Sequence, residues 1–185
     1  MAPMRCSEQD VYTVVVTSPI GDIEIRGCDG GLHSVKQCDE DDSTFSPDEG
    51  RPVNLKRGYS KIDCKPIDEC ISWLKKYFLH KEANIKIPSL CSSVVRQDSF
   101  AEKAWRLLPE AAPMGTTISY KDLAEWCGSE KACRAAGQAM ATNPVSLLIP
   151  CHRVISSQGK LGNYSHGKKN KIKKWLLKYE RREEQ

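Results

Sequence analysis

No stretch of the 185-residue chain reaches the roughly 18 consecutive apolar residues that a membrane span needs. The opening Met1-Ala2-Pro3-Met4-Arg5-Cys6 also lacks the apolar core of a secretion signal. Together these absences predict an intracellular, reducing location and no membrane partner. A disulfide framework is missing too, because nine cysteines are odd in number and irregularly spaced. The thiols are therefore expected to be buried, metal-ligating or reactive. Positive charge is scarce in the first half: residues 1–90 hold 12 Lys/Arg against 15 Asp/Glu, whereas residues 91–185 hold 16 against 9. A polyanion should therefore meet the second half.

What is present divides at about residue 90. The β-branched run Val11 to Thr17, the turn Ser18-Pro19-Ile20-Gly21 and the alternating Asp22 to Arg26 read as an antiparallel hairpin. Another strand is expected from Gly31 to Lys36, followed by an acidic, mobile loop from Cys38 to Gly50 that does nothing beyond solvation. Ile67, Cys70, Ile71, Leu74, Tyr77 and Phe78 recur at helical spacing. Residues 83–98 read as a connector. Ser99-Phe100-Ala101-Glu102 has the form of a capping box for a helix ending near Pro109. Ser119 can cap Tyr120 to Trp126, and Ser129 can cap a second helix through Lys131 to Met140. Such a pair has helix-turn-helix spacing. The expectation is an α+β protein with a small N-terminal α/β domain over 1–90 and a mainly helical domain over 91–185.

The small side chains Ala132, Ala135, Ala136, Gly137 and Ala139 would let the second helix press closely into a DNA groove, with Arg134 projecting from among them. Further on, the apolar Leu147-Leu148-Ile149 delivers Pro150-Cys151-His152-Arg153, which puts Cys151 at the floor of a pocket. A thiol is a weak nucleophile until ionised, so it needs a base or a positive field, and His152 is adjacent. The whole stretch Asn143 to Val154 resembles the active-site signature of the O6-alkylguanine-DNA alkyltransferases. The similarity continues through Ile118-Ser119-Tyr120, Lys131 to Gly137, Gly162-Asn163-Tyr164-Ser165 and Trp175-Leu176-Leu177.

That resemblance implies an N-terminal α/β roll and a winged-helix-like C-terminal domain whose helix-turn-helix docks in the minor groove of double-stranded DNA carrying O6-alkylguanine. It implies DNA binding through Tyr120, Lys131, Arg134, Ala135 and Gln138, with Arg134 filling the space of a flipped nucleotide. Cys151 would then take the alkyl group in a single turnover, since a thioether offers water no carbonyl to attack. Glu180, His152, a water and Cys151 would form one hydrogen-bonded chain. Tyr120 would protonate the departing purine, Asn143 would align Cys151, and Ser146, Val154, Tyr164 and Ser165 would wall the pocket. The chemistry needs no cofactor. A nuclear location goes with such a substrate, and cooperative self-association on DNA stays open.

Cys28 and His33, separated by four residues, are spaced as zinc ligands often are, a spacing that also arises by chance. In the resemblance, Cys6, Cys28 and His33 match three of the four zinc ligands of vertebrate members, and Cys91 stands at the fourth, a His there. A structural zinc on Cys3His is the expectation. Three departures stand out: Ser146 replaces a proline wall, His166 replaces a Gly, and Gln138 lies on a face that is usually small. Bulky free guanine analogues should therefore react poorly. The lysines 168, 169, 171, 173 and 174 read as a solvated face. Two other functions use some of the same residues: a helix-turn-helix regulator without transfer activity, and a multiple-turnover cysteine hydrolase with an oxyanion hole.

Overall fold

The computed structural model describes Cys6 and residues 10–38, 41–58, 62–80 and 86–182. It divides into two compact units, one of residues 1–39 and 44–95, the other of residues 40–43 and 96–185.

In the first unit, β1 (Tyr12–Val16), β2 (Ile23–Cys28) and β3 (Gly31–Gln37) form an antiparallel sheet in the order β1-β2-β3. The turn between β1 and β2 closes as Ser18 Oγ donates to Gly21 O at 2.6 Å, with Gly21 at φ 101°. Helix α1 (Lys65–Tyr77) starts with Pro66 in its first turn, where a missing N–H costs nothing. It buries Pro66, Ile67, Cys70, Trp73, Leu74 and Tyr77 on one stripe and packs on β2 and β3. Each such large apolar side chain contributes about 1.5–3 kcal/mol.

The unit extends past the expected boundary at residue 90. Leu90 bridges Leu32, Leu32 N donates to Ser89 O at 2.8 Å, and Cys91 N donates to Leu32 O at 2.9 Å. Gly31 permits this approach: a Cβ there would lie 2.6 Å from Cys91 N. The expected connector thus carries a strand-like contact, and its first residues, 83–85, lie outside the described ones. The acidic loop is more than solvated, because Asp42 Oδ2 accepts from Lys171 N at 2.7 Å within the second unit.

The second unit comprises α2 (Phe100–Ala111), β4 (Ile118–Ser119), α3 (Tyr120–Trp126), α4 (Cys133–Ala141), β5 (Val154–Ile155) and α5 (Asn170–Arg181). Ser99 caps α2 by accepting from Glu102 N at 3.1 Å. The helix runs past Pro109, which sits inside it. Ser119 and Asp122 make a reciprocal capping box for α3. Helix α4 departs from expectation: it begins at Cys133 after Ala132, with no side-chain cap, so Ser129 does not cap it and Lys131 precedes it. Trp105 Nε1 donates to Ala139 O at 2.8 Å, tying α2 to α4. Strands β4 and β5 pair in parallel, and α5 packs on the 3-10 turn Cys151–Arg153.

Candidate active site

The apolar run before Cys151 behaves as its composition requires. Leu147, Leu148 and Ile149 are buried and pin the turn that carries Cys151, His152 and Arg153, all buried themselves. Asn143 organises this turn from the end of α4. Its Nδ2 donates to Ile149 O at 2.8 Å and to Cys151 Sγ at 3.1 Å, while its Oδ1 accepts from Val145 N at 3.0 Å. An Asn-Pro pair suited to a turn is thereby also a direct neighbour of the thiol.

Cys151 forms the floor of a cavity of about 350 Å³, at the lower end of the range for small-molecule sites. Tyr120, Asn143, Ser146, Tyr164 and Ser165 line it. Val154 does not. It is wholly buried and held in β5 opposite Ile118, which turns its side chain to the core. The sequence reading missed Gly137, Met140, Ala141, Gly162 and Asn163, which complete the lining together with His166. Met140 and Ala141 follow from helical periodicity once α4 is known to end at the pocket, but nothing local in the sequence says where that end points. Tyr164 N donates to Asn170 Oδ1 at 2.9 Å, fixing to the start of α5 the loop from Gly162 to His166 that borders the cavity as its lid. The lid is strained, with Ser165 at φ 48° and His166 at φ 57°.

Behind the thiol lies a buried charge network. His152 Nε2 is 2.6 Å from Glu180 Oε1, and Arg153 donates through Nε and Nη2 to the same carboxylate, each at 2.9 Å. Arg153 Nη1 donates to Ala112 O at 2.8 Å. Burial alone would raise the Glu180 pKa, but His152 and Arg153 outweigh it and hold the carboxyl well below the usual range. Burial pushes His152 down against the pull of Glu180, so the imidazole is neutral at pH 7. Its Nε2–H then faces Glu180, leaving Nδ1 as a buried acceptor with no hydrogen bond among the described residues. Arg153, read from sequence only as part of a motif, is the charge that neutralises Glu180.

Burial raises the Cys151 thiol, and Asn143, Lys173 and Tyr164 pull it back. Both tyrosines stay protonated, since burial and then the Cys151 charge raise Tyr120 and Tyr164. Lys173 corrects the expected solvated face. It is fully buried, its Nζ donates to Val154 O at 2.8 Å, and burial lowers its pKa to about 8. On α4, Arg134, Ala135 and Gln138 are exposed at helical spacing and share one outer face, and Lys131, just ahead of the helix, is exposed as well.

In the first unit, Cys6, Cys28, His33 and Cys91 converge, with their ligand atoms all within 4.8 Å of one another. The sulfurs of Cys6 and Cys28 are 3.2 Å apart, those of Cys6 and Cys91 3.4 Å, and those of Cys28 and Cys91 3.7 Å, while His33 Nε2 is 3.3 Å from Cys28 Sγ. Tetrahedral zinc–thiolate bonds of about 2.3 Å would set sulfurs about 3.8 Å apart, so this donor set fits such an ion with small adjustments.

Known proteins share both halves of the chain. Residues 11–89 match the family described as 6-O-methylguanine DNA methyltransferase, ribonuclease-like domain, and residues 99–182 its DNA binding domain. Methylated-DNA--protein-cysteine methyltransferase of Rattus norvegicus is 40% identical over 172 residues, 91% of this chain and 81% of that one. The Homo sapiens protein of the same name is 40% identical over 175 residues, 92% and 81% of the two chains. Among solved structures, Mycobacterium tuberculosis O6-methylguanine methyltransferase superposes with a TM-score of 0.68 at 27% identity, covering 95% of each chain. The OGT of the same organism in complex with DNA gives 0.68 at 27% identity, covering 91% of each. A cysteine held at a pocket floor, a small-residue helix beside it and this similarity along nearly the whole chain have one reading: the protein belongs to the methylated-DNA--protein-cysteine methyltransferase family.

Proposed function

We propose that this protein repairs DNA by direct reversal, moving the alkyl group of O6-alkylguanine onto Cys151 in one irreversible turnover. The observation that carries the reading is the buried Cys151 Sγ, hydrogen-bonded by Asn143 at the floor of a cavity lined by two protonated tyrosines. A regulator needs no such thiol, and a hydrolase needs a carbonyl substrate and an oxyanion hole.

The exposed face of α4, with Arg134, Ala135 and Gln138, and Lys131 just ahead of it, form the surface offered to duplex DNA. Arg134 enters the stack as the damaged nucleotide leaves it for the pocket. There Cys151 Sγ attacks the alkyl carbon, a sulfur–carbon bond forms, and the carbon–O6 bond breaks with its electron pair on the purine. The thiol proton passes toward the His152 Nδ1 acceptor, whose ring Glu180 orients. The Tyr120 hydroxyl, placed in the cavity, donates a proton to guanine and regains one from that released by the thiol, so the net movement is the thiol proton to the purine. Ser146, Tyr164 and Ser165 shape the space around the base. The transfer as written uses no cofactor.

The division of labour follows the two units, residues 1–39 and 44–95 structural, Cys91 among them, and residues 40–43 and 96–185 for DNA binding and transfer. There Cys6, Cys28, His33 and Cys91 would hold a zinc ion, which supplies a cross-link between distant segments and no step of the transfer. In a cell with a nucleus, a repair reaction on chromosomal DNA belongs in the nucleus. No helix among the described residues is long and apolar enough to cross a membrane.

Intact mass after incubation with duplex DNA containing O6-methylguanine tests the reaction. One added methyl group per chain, mapped to Cys151 and never exceeding one equivalent, is expected. Repeated turnover or an unmodified Cys151 would sink the reading.

A further inference from the structure

An attacking sulfur carries negative charge in a site that burial makes hostile to it, so a positive group must face it. His152 is held neutral and is committed to Glu180. Arg153, on the same turn, spends its charge on that carboxylate through two hydrogen bonds. From α3 and the lid loop, Tyr120 and Tyr164 present neutral phenols, and Asn143 presents only an amide dipole. The remaining cation is Lys173 on α5.

No other lysine is buried among the described residues. Lys171 and Lys174 on either side are exposed, so Lys173 is turned inward by helix geometry rather than carried along by a basic cluster. Its Nζ donates to the carbonyl of Val154, three residues after Cys151, which anchors one of its three protons beside the active turn. No carboxylate among the described residues lies within salt-bridge distance of Nζ; Glu180, seven residues on along the same helix, is bound to His152 and Arg153. A buried ammonium without a counter-ion is costly, and proteins rarely keep one unless it has work to do.

Resting on the alkyl-transfer reading of Cys151, we propose that Lys173 is the counter-charge of the Cys151 thiolate, a positioning residue that acts through the sulfur during attack. The ammonium keeps its proton throughout. The thiol proton leaves by the His152 side, the sulfur–carbon bond forms as the carbon–O6 bond breaks, and the proton count closes on guanine. The electrostatic influence runs both ways, since Lys173 lowers the Cys151 pKa and the Cys151 thiolate raises that of Lys173.

The test compares the wild-type protein with Lys173→Met and Lys173→Arg. Each is treated with iodoacetamide from pH 6 to pH 10, labelling of Cys151 is followed by peptide mass, and methyl transfer from DNA is timed in parallel. Lys173→Met should move the labelling midpoint up by about one pH unit, and labelling at pH 7 should fall about tenfold, as the thiolate fraction does. Lys173→Arg, which keeps the charge, should recover part of both. An unchanged midpoint in Lys173→Met overturns the proposal. Should that variant not fold, the titration of the Lys173 side-chain nitrogen by NMR decides in the wild type against Cys151→Ser. It should fall when the ionisable sulfur is removed, and an unchanged titration overturns the proposal. A failure of alkyl transfer itself leaves the labelling midpoint intact as a separate readout.

Discussion

Thiols are gathered in two settings in this protein, one in each unit, and their neighbours give them different chemistry. In the first unit three sulfurs and an imidazole face one another, so each thiol has other metal donors among its partners. In the second, no other cysteine among the described residues lines the Cys151 cavity. Cys151 faces an amide, two phenols and a lysine around a cavity wide enough for a base. A converging donor set suits a cation that holds segments together, whereas a solitary thiol in a polar pocket suits attack on carbon. Burial alone does not separate the two, because Cys28 and Cys91 are as buried as Cys151.

The largest expected effect is that of Cys151→Ser, which should abolish alkyl transfer while duplex binding persists, since the exposed face of α4 is untouched. Mass-mapped methyl transfer and a binding titration check it. Methyl appearing on Cys6, Cys28 or Cys91 would break the comparison outright. Next, Glu180→Gln removes the carboxylate that His152 and Arg153 share and leaves a buried guanidinium uncompensated, a cost of about 3–5 kcal/mol by chemical denaturation. The sign of its pH dependence follows from the depressed Glu180 pKa. The wild type holds the full contribution above the unfolded carboxylate value of about 4.3 and loses it as pH falls below that, whereas Glu180→Gln should lack that dependence.

Cys28→Ser should cost less, about 2 kcal/mol or roughly 5 °C in melting temperature, and should abolish a zinc content near one per chain in protein prepared without chelator. Transfer rate per folded molecule should not change. Well under one zinc per chain in the wild type, or an unchanged melting temperature in the variant, removes the metal from the first unit. Arg134→Ala should slow repair of duplex DNA about tenfold yet leave reaction with free O6-benzylguanine unaltered, and equal slowing of both would refute its entry into the stack. The smallest effect belongs to the lid. His166 adopts φ 57°, a conformation glycine tolerates and other residues reach at a cost of about 1 kcal/mol. His166→Gly should gain up to that amount and speed O6-benzylguanine labelling, which should be slow in the wild type. Rapid wild-type labelling would contradict the narrowed pocket.

Patterns that repeat within a few residues were legible in the sequence. Alternation in Asp22 to Arg26, the spacing from Ile67 to Phe78 and the Ser119 cap each encode a local backbone preference, and each element formed. The same locality misled at Ser129, while the α2 end expected near Pro109 falls two residues on. A serine three residues ahead of a helical run resembles a cap, but the chain enters α4 only at Cys133, and α2 continues through its proline to Ala111. Pro109 lies ten residues into α2, and its neighbours Leu108 and Ala112 are packed in the core.

By itself, the sequence determined which residues could do chemistry: a Pro-Cys-His-Arg run, a small-residue helix with one arginine, and Cys and His residues at ligand-like spacing. Tertiary structure alone decided which of them meet. It brought Cys6, Cys28, His33 and Cys91 together across more than 80 residues of chain, and it turned Val154 to the core and out of the pocket. It also selected, from five lysines within seven residues, the single one whose charge lies inside. The reason is physical. Spacing along the chain sets which face of a helix or strand a side chain occupies, but its charge state, its partner and its access to solvent depend on what the other elements place against that face.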